Sequence, residues 1–178
     1  MRQKAKDVGL NVVYQVNEKA PTGKCAVLIT GNDRSLVAHL GAANNFTPDH
    51  LDVDHHWNHV TKAKVLYVSG FFFTVSPESI MRFAKFAHEH DRTFTVNLSA
   101  PFLSQFFKDK LVNALPYVDI LFGNDDVNSY YVVLHFFTLT KFIYFIKEAS
   151  TFSKSVLENE VILCQTIMLL DGLGLILF

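Results

Sequence analysis

Residues 65–123 read VLYVSGFFFTVSPESIMRFAKFAHEHDRTFTVNLSAPFLSQFFKDKLVNALPYVDILFG. Val65–Val68 is a short continuous apolar run stopped by Ser69-Gly70, the pattern of a strand covered on both faces. Ser76-Pro77-Glu78 opens a helix, with Ser as N-cap and Pro in the first helical position. Ile80, Phe83, Ala84 and Ala87 then fall at i, i+3, i+4 and i+7, on one face of that helix. Thr93–Asn97 reads as the next strand, Ser104–Leu115 as the next helix, and Val118–Phe122 as a third strand closed by Gly123. Strand, helix, strand, helix, strand at this spacing predicts right-handed crossovers and a largely parallel sheet. The fold class is α/β.

Toward the N-terminus the signals are those of strands and turns. Met1–Leu10 is mixed and basic, without the apolar core of a secretory signal. It reads as the last turns of a helix with Gly9 at the C-cap, and Asn11–Val16 alternates like a strand. Cys25–Thr30 lies between two turn signals, Pro21-Thr22-Gly23 and Gly31-Asn32-Asp33, with Arg34–Leu40 as its hairpin partner.

Composition narrows the function classes. The chain has 178 residues, 16 basic and 17 acidic, and 49% are apolar. That excludes intrinsic disorder and argues against a nucleic-acid-binding tail or a polybasic membrane surface, which need clustered positive charge. Two cysteines, Cys25 and Cys164, make neither a disulfide framework nor a zinc cluster, so a reducing compartment is expected.

The character changes after Asp126. Ser129–Ile146 (SYYVVLHFFTLTKFIYFI) is aromatic and β-branched without a clear period, and Val161–Phe178 is a second apolar stretch interrupted by Asp171. The first run approaches the length of a membrane span, but His135 and Lys141 sit inside it. A central Lys costs about 2.5–3.5 kcal/mol on insertion scales. Richness in Phe, Leu, Ile, Tyr and Lys is also what translation of A/T-rich noncoding sequence gives, as after a retained intron or a frameshift. That reading is preferred, which makes residues 127–178 a tail foreign to the domain.

In open parallel sheets, ligands bind beyond the carboxyl ends of the strands. Three such ends are visible: Ser69-Gly70-Phe71-Phe72, Asn97-Leu98-Ser99-Ala100-Pro101-Phe102 and Gly123-Asn124-Asp125. Each offers small residues and a polar side chain, and two add an aromatic face suited to stacking on a planar base. Any one alone reads as an ordinary strand-to-helix turn, but three in succession point to a ligand.

Residues 21–44 (PTGKCAVLITGNDRSLVAHLGAAN), with YVSGFFFTVSPES, TVNLSAPFLSQFF and PYVDILFGN, closely resemble the adenosine kinases among the ribokinase-like sugar and nucleoside kinases. The likeness runs from Met1 to about Asp125. It implies a central α/β sheet, here residues 63–125, and a small β lid, here residues 11–41, together a partial domain over residues 1–126. It implies ATP-dependent phosphorylation of adenosine to AMP in purine salvage, with magnesium, in a largely monomeric cytoplasmic protein that extends to the nucleus. Cys25, Leu36 and Ala38 match lid positions that cover adenosine, and Phe71 and Phe102 match aromatic positions lining the nucleoside pocket. Arg34 matches an arginine that approaches the transferred phosphate, chemically apt because a guanidinium binds phosphate oxygens bidentately. Asn97 matches an ATP- or phosphate-side position, and Asn124 opens the Asn-x-x-Glu motif that helps position magnesium and the nucleotide phosphates.

The departures carry equal weight. The Glu of that motif falls at Val127, which cannot bind a metal-associated water. The Asp-Thr-Asn-Gly-Ala-Gly-Asp motif, which supplies the catalytic base and the N–H groups that hold developing phosphoryl charge, is absent; Asp171, in Asp171-Gly172-Leu173-Gly174, is the only Asp of the tail followed by a Gly and lacks the Thr-Asn and the second Asp. The N-terminal Gly-Gly segment that binds the ribose hydroxyls is missing too. No residue of this chain is assigned as catalytic base or as a direct metal ligand, and an inactive internal fragment is expected. The alternatives are a non-catalytic nucleoside-binding or kinase-associating chain and a product anchored in a membrane through residues 129–146. A free sheet edge and the apolar tail predict self-association. His55, His56 and His59 invite a metal reading, but without HExxH or a nearby Cys a solvated helix is preferred.

Overall fold

The computed structural model describes residues 2–31, 33–123, 142–145, 168–171 and 174–177. Helix α1 (Arg2–Asp7) ends where Gly9 adopts a positive φ of 75°. There Gly9 N–H donates to Lys6 C=O at 3.0 Å and Leu10 N–H to Ala5 C=O at 2.9 Å, the paired bonds of a Schellman cap. Strand β1 is shorter than the alternation suggests, Asn11–Val12 only.

The next two strands form a separate antiparallel pair. β2 (Thr22–Thr30) and β3 (Asp33–Gly41) register Cys25 opposite Ala38 and Val27 opposite Leu36. The pair leaves and rejoins the body at one point, where Ala42 N–H donates to Pro21 C=O at 2.8 Å. Gly41 has φ 54° there, and a Cβ on it would collide with the Pro21 carbonyl. Of residues 11–41, only Thr22–Gly41 form this separate pair, because β1 pairs with the main sheet instead.

After α2 (Asp54–Lys62), β4 (Val65–Ser69), α3 (Pro77–Glu89) and β5 (Thr93–Asn97) follow in the expected order. The second helix is broken at Phe107 into α4 (Pro101–Phe106) and α5 (Lys108–Ala114), and β6 runs Ile120–Gly123. β4, β5 and β6 are parallel. The predicted face of α3 is buried as expected: Ile80, Phe83, Ala84 and Ala87 pack into the core with Leu66, Val68, Phe94 and Val96. Ser76 stands at the helix start without capping it; its hydroxyl meets that of Ser79 at 2.8 Å. His90 closes the helix, Nδ1–H donating to the Phe86 carbonyl at 2.9 Å. Trp57 of α2 stacks on Phe83, with centroids 5.8 Å apart, and carries the Arg82 guanidinium 4.1 Å above its ring.

The edges of β4 and β6 are both paired, and the outer strands of the open sheet are β1 and β7. β7 (Phe142–Phe145) adds in parallel to β6, β8 (Met168–Asp171) adds antiparallel to β4, and β9 (Gly174–Leu177) joins β8 to β1. The order is β1-β9-β8-β4-β5-β6-β7. Strand-forming Phe, Ile, Tyr and Leu in the segments after residue 126 satisfy the backbone groups that β4 and β6 would otherwise present to water. The rest of 129–146, the segment considered as a membrane span, lies outside the described residues. Among those described, no helix is long and apolar enough to cross a membrane.

Phe94 is fully buried at the centre of the sheet. Phe94→Ala is expected to cost about 3–5 kcal/mol, read as a lower urea midpoint by fluorescence of Trp57, the only tryptophan.

Candidate functional site

Because β4 and β5 are parallel, their carboxyl ends emerge side by side, Ser69 in register with Asn97. β4 runs straight into a 3-10 turn, Gly70–Thr74, which carries Phe71, and β5 runs through Leu98-Ser99-Ala100 into α4, which carries Phe102. The two rings lie with centroids 6.1 Å apart at 42°. They border a cleft of about 1080 Å³ whose other wall is the base of the hairpin, with Gly23, Ala38 and Leu40, and whose floor includes Tyr14, Asn45 and Phe46.

Three of the residues singled out by sequence, Ala38, Phe71 and Phe102, thus share one cleft. Cys25 and Leu36 do not line it; both are exposed on the hairpin, Cys25 as a free thiol. Arg34 lies on β3 opposite Ile29, toward the hairpin tip. Asn97 sits at the end of β5, its Oδ1 accepting Ser99 N–H at 2.8 Å. Beside it, burial pushes the Tyr67 phenol up from its ordinary value, an effect the Asn97 side chain opposes. Asn124 lies outside the described residues, as do Val127 and Cys164.

Sequence reasoning missed much of the floor. Phe46 packs edge-on against Phe72 with centroids 5.2 Å apart, and Gln15 and Thr47 exchange two hydrogen bonds, of 2.7 and 2.9 Å, between segments 32 residues apart in the chain. The short Gly41-Ala42-Ala43-Asn44 run after the hairpin was the available signal, since small residues there allow close approach. The cleft lining is aliphatic and aromatic with amides and hydroxyls interspersed, with Arg2 as its charged member and no carboxylate among the lining residues. Such a surface suits a neutral heteroaromatic ligand, which needs stacking faces and hydrogen-bond partners. It does not suit a divalent cation, and no group of three or more His, Cys, Asp or Glu among the described residues could hold one. The histidines of α2 touch one another, His55 and His59 with ring centroids at 5.3 Å, without forming a cage.

A model of the pfkB family carbohydrate kinases matches residues 1–126. Adenosine kinase 2 of Arabidopsis thaliana is 49% identical over 125 residues, which cover 70% of this chain and 36% of the relative. The crystal structure of Anopheles gambiae adenosine kinase in complex with P1,P4-di(adenosine-5) tetraphosphate superposes with a TM-score of 0.69 at 52% identity, covering 71% of this chain and 38% of that one. Adenosine kinase from Schistosoma mansoni in complex with adenosine gives 0.70 at 36% identity, over 75% and 39%. The chain spans little more than a third of the length of these proteins.

One wall of the cleft is held by a titratable group. His50 contacts the Phe46 ring edge-on at 5.7 Å, donates from Nε2 to the Val13 carbonyl at 3.1 Å, and has the His56 ring 4.4 Å away. Burial holds its pKa below 6.5; His56 acts in the same sense, while the Val13 bond and Asp49 oppose. The folded state therefore favours neutral His50, and the unfolded chain takes up the proton first as pH falls. Stability is fully present above about pH 6.5 and is lost on acidification below it. The stability difference between the natural chain and His50→Gln, measured by urea titration, is expected to shrink between about pH 7.5 and pH 5.

Proposed function

The chain belongs to the pfkB family of carbohydrate kinases, and from that premise we propose that residues 1–126 are the adenosine-binding part of an adenosine kinase and that this chain does not itself turn over. The observation that carries the reading is the cleft in which Ala38 of the hairpin faces Phe71 and Phe102 of the sheet. Phe71 and Phe102 offer the adenine ring stacking faces, worth about 1–3 kcal/mol per base. The hairpin, attached through one point at Pro21 and Gly41, covers the bound nucleoside with Cys25, Leu36 and Ala38 when it folds over. Arg34 approaches the transferred phosphate, and Asn97 and Asn124 lie on the ATP side.

Phosphoryl transfer is almost entirely positioning and charge stabilisation. The parent reaction takes magnesium and ATP, and magnesium would neutralise charge on the phosphates. The described cleft offers no carboxylate for it, and the sequence has no Asp-Thr-Asn-Gly-Ala-Gly-Asp stretch to supply a base and an anion hole. The residues present fit the nucleoside and not the metal–phosphate group. A cytoplasmic setting, with the nucleus as a second, belongs to the same reading, as does a protein without nucleic-acid partners.

Calorimetric titration of the 178-residue chain with adenosine should give saturable heat at millimolar ligand. Phe71→Ala and Phe102→Ala should each weaken binding by at least about fivefold. Absence of heat would sink the nucleoside reading. AMP formed from adenosine, ATP and magnesium at ordinary kinase rates would overturn the loss of turnover.

A further inference from the structure

We infer that Ser99 is a positioning residue that sets the spacing of Phe71 and Phe102 across the cleft, an inference that rests on the adenosine reading for its functional consequence. Ser99 has φ 62°, and with Asp91 it is one of two non-glycine residues with positive φ among those described. That conformation costs a non-glycine residue about 1–3 kcal/mol and persists only where surrounding structure holds it. Here the surroundings are a closed set of hydrogen bonds. Ser99 N–H donates to Asn97 Oδ1 at 2.8 Å, and Gly70 N–H donates to Ser99 Oγ at 3.0 Å. Ser69 Oγ lies 3.2 Å from Ser99 Oγ, and Ser99 Oγ–H donates to the Asn97 carbonyl at 3.2 Å.

The hydroxyl is thereby saturated. It accepts from Gly70 N–H and from the Ser69 hydroxyl while giving its one proton to Asn97, the full capacity of a serine side chain. These bonds join the first residue of the turn carrying Phe71 to the loop entering the helix that carries Phe102. Glycine at 70 permits the approach, since a Cβ there would come within 2.5 Å of the Asn97 carbonyl oxygen and 2.8 Å of that of Leu98. Phe102 is 39% exposed, so packing alone does not fix its ring. What fixes the two loops against each other is the Ser99 hydroxyl.

Two substitutions separate positioning from mere stability. Ser99→Gly adopts φ 62° freely but deletes the hydroxyl. Ser99→Thr keeps the hydroxyl and strains the backbone further, because a β-branched residue is disfavoured at positive φ. In the unliganded natural chain, with centroids at 6.1 Å, ring protons of Phe71 and Phe102 should show a through-space nuclear Overhauser effect. Ser99→Gly should lose that effect and bind adenosine about tenfold more weakly, one hydrogen bond's worth, with little change in melting temperature. Ser99→Thr should melt lower and retain both. A Ser99→Gly chain that keeps the effect overturns the inference, as does affinity that merely tracks melting temperature across the variants. If the natural chain does not bind adenosine, the function reading falls, and the ring-to-ring effect alone decides the role of Ser99.

Discussion

Burial of β5 on both faces is the constraint from which the remaining architecture follows. Phe94 and Val96 are fully buried, and Thr95 between them is buried with its hydroxyl donating to the Leu66 carbonyl at 3.2 Å. A strand so enclosed must satisfy its backbone through neighbours on both sides, and β4 and β6 do so in parallel. Parallel pairing sends every carboxyl end to the same edge of the sheet, which is why the loops bearing Phe71 and Phe102 meet. The opposite ends are tied as well: Asp119 accepts Phe94 N–H through Oδ2 at 2.9 Å, and its own N–H donates to the Phe94 carbonyl at 2.9 Å. The cleft is thus a product of sheet topology before it is a product of side-chain chemistry.

The parts legible in sequence are those where local pattern and tertiary packing agree. The α3 face, the three central strands, the hairpin and the Gly9 cap were all expected from period and turn chemistry, and all are present. Failures occur where long-range partners decide. Asn11–Val16 alternates like a strand, yet only Asn11–Val12 finds one, since its partner β9 is more than 160 residues away in sequence. The helix expected over 104–115 starts three residues earlier at Pro101 and breaks at Phe107, which period alone does not reveal. Of the site, the aromatic pair and Ala38 were legible, whereas Phe46 and Gln15 were not, because contacts such as that of Gln15 with Thr47, 32 residues away, leave no local signature. The Ser99 geometry was likewise invisible: serine carries no preference for positive φ that a sequence would display.

The cleft chemistry is lopsided in a physically coherent way. Stacking faces, amides and a tied pair of loops lie on the described side, and these are groups that recognise a flat neutral ring. Carboxylates, which a metal bound to a phosphoryl group in flight requires, are not among the lining residues. This division coincides with the extent of the family likeness, which ends at residue 126. The strands that follow add to the sheet's edges without contributing described side chains to the cleft.

The hairpin has one more consequence, and it is calorimetric. Val27, Leu28, Ile29, Leu36 and Val37 stand in water at 51–77% exposure on a two-stranded pair, a unit that is marginal by itself. Apolar surface withdrawn from water lowers the heat capacity of the system. A ligand that only occupies the Phe71–Phe102 wall would leave the binding enthalpy nearly flat with temperature. One that brings the hairpin down would make it steeply more favourable on warming. The temperature slope of the enthalpy therefore separates an open complex from a covered one without any structure of either.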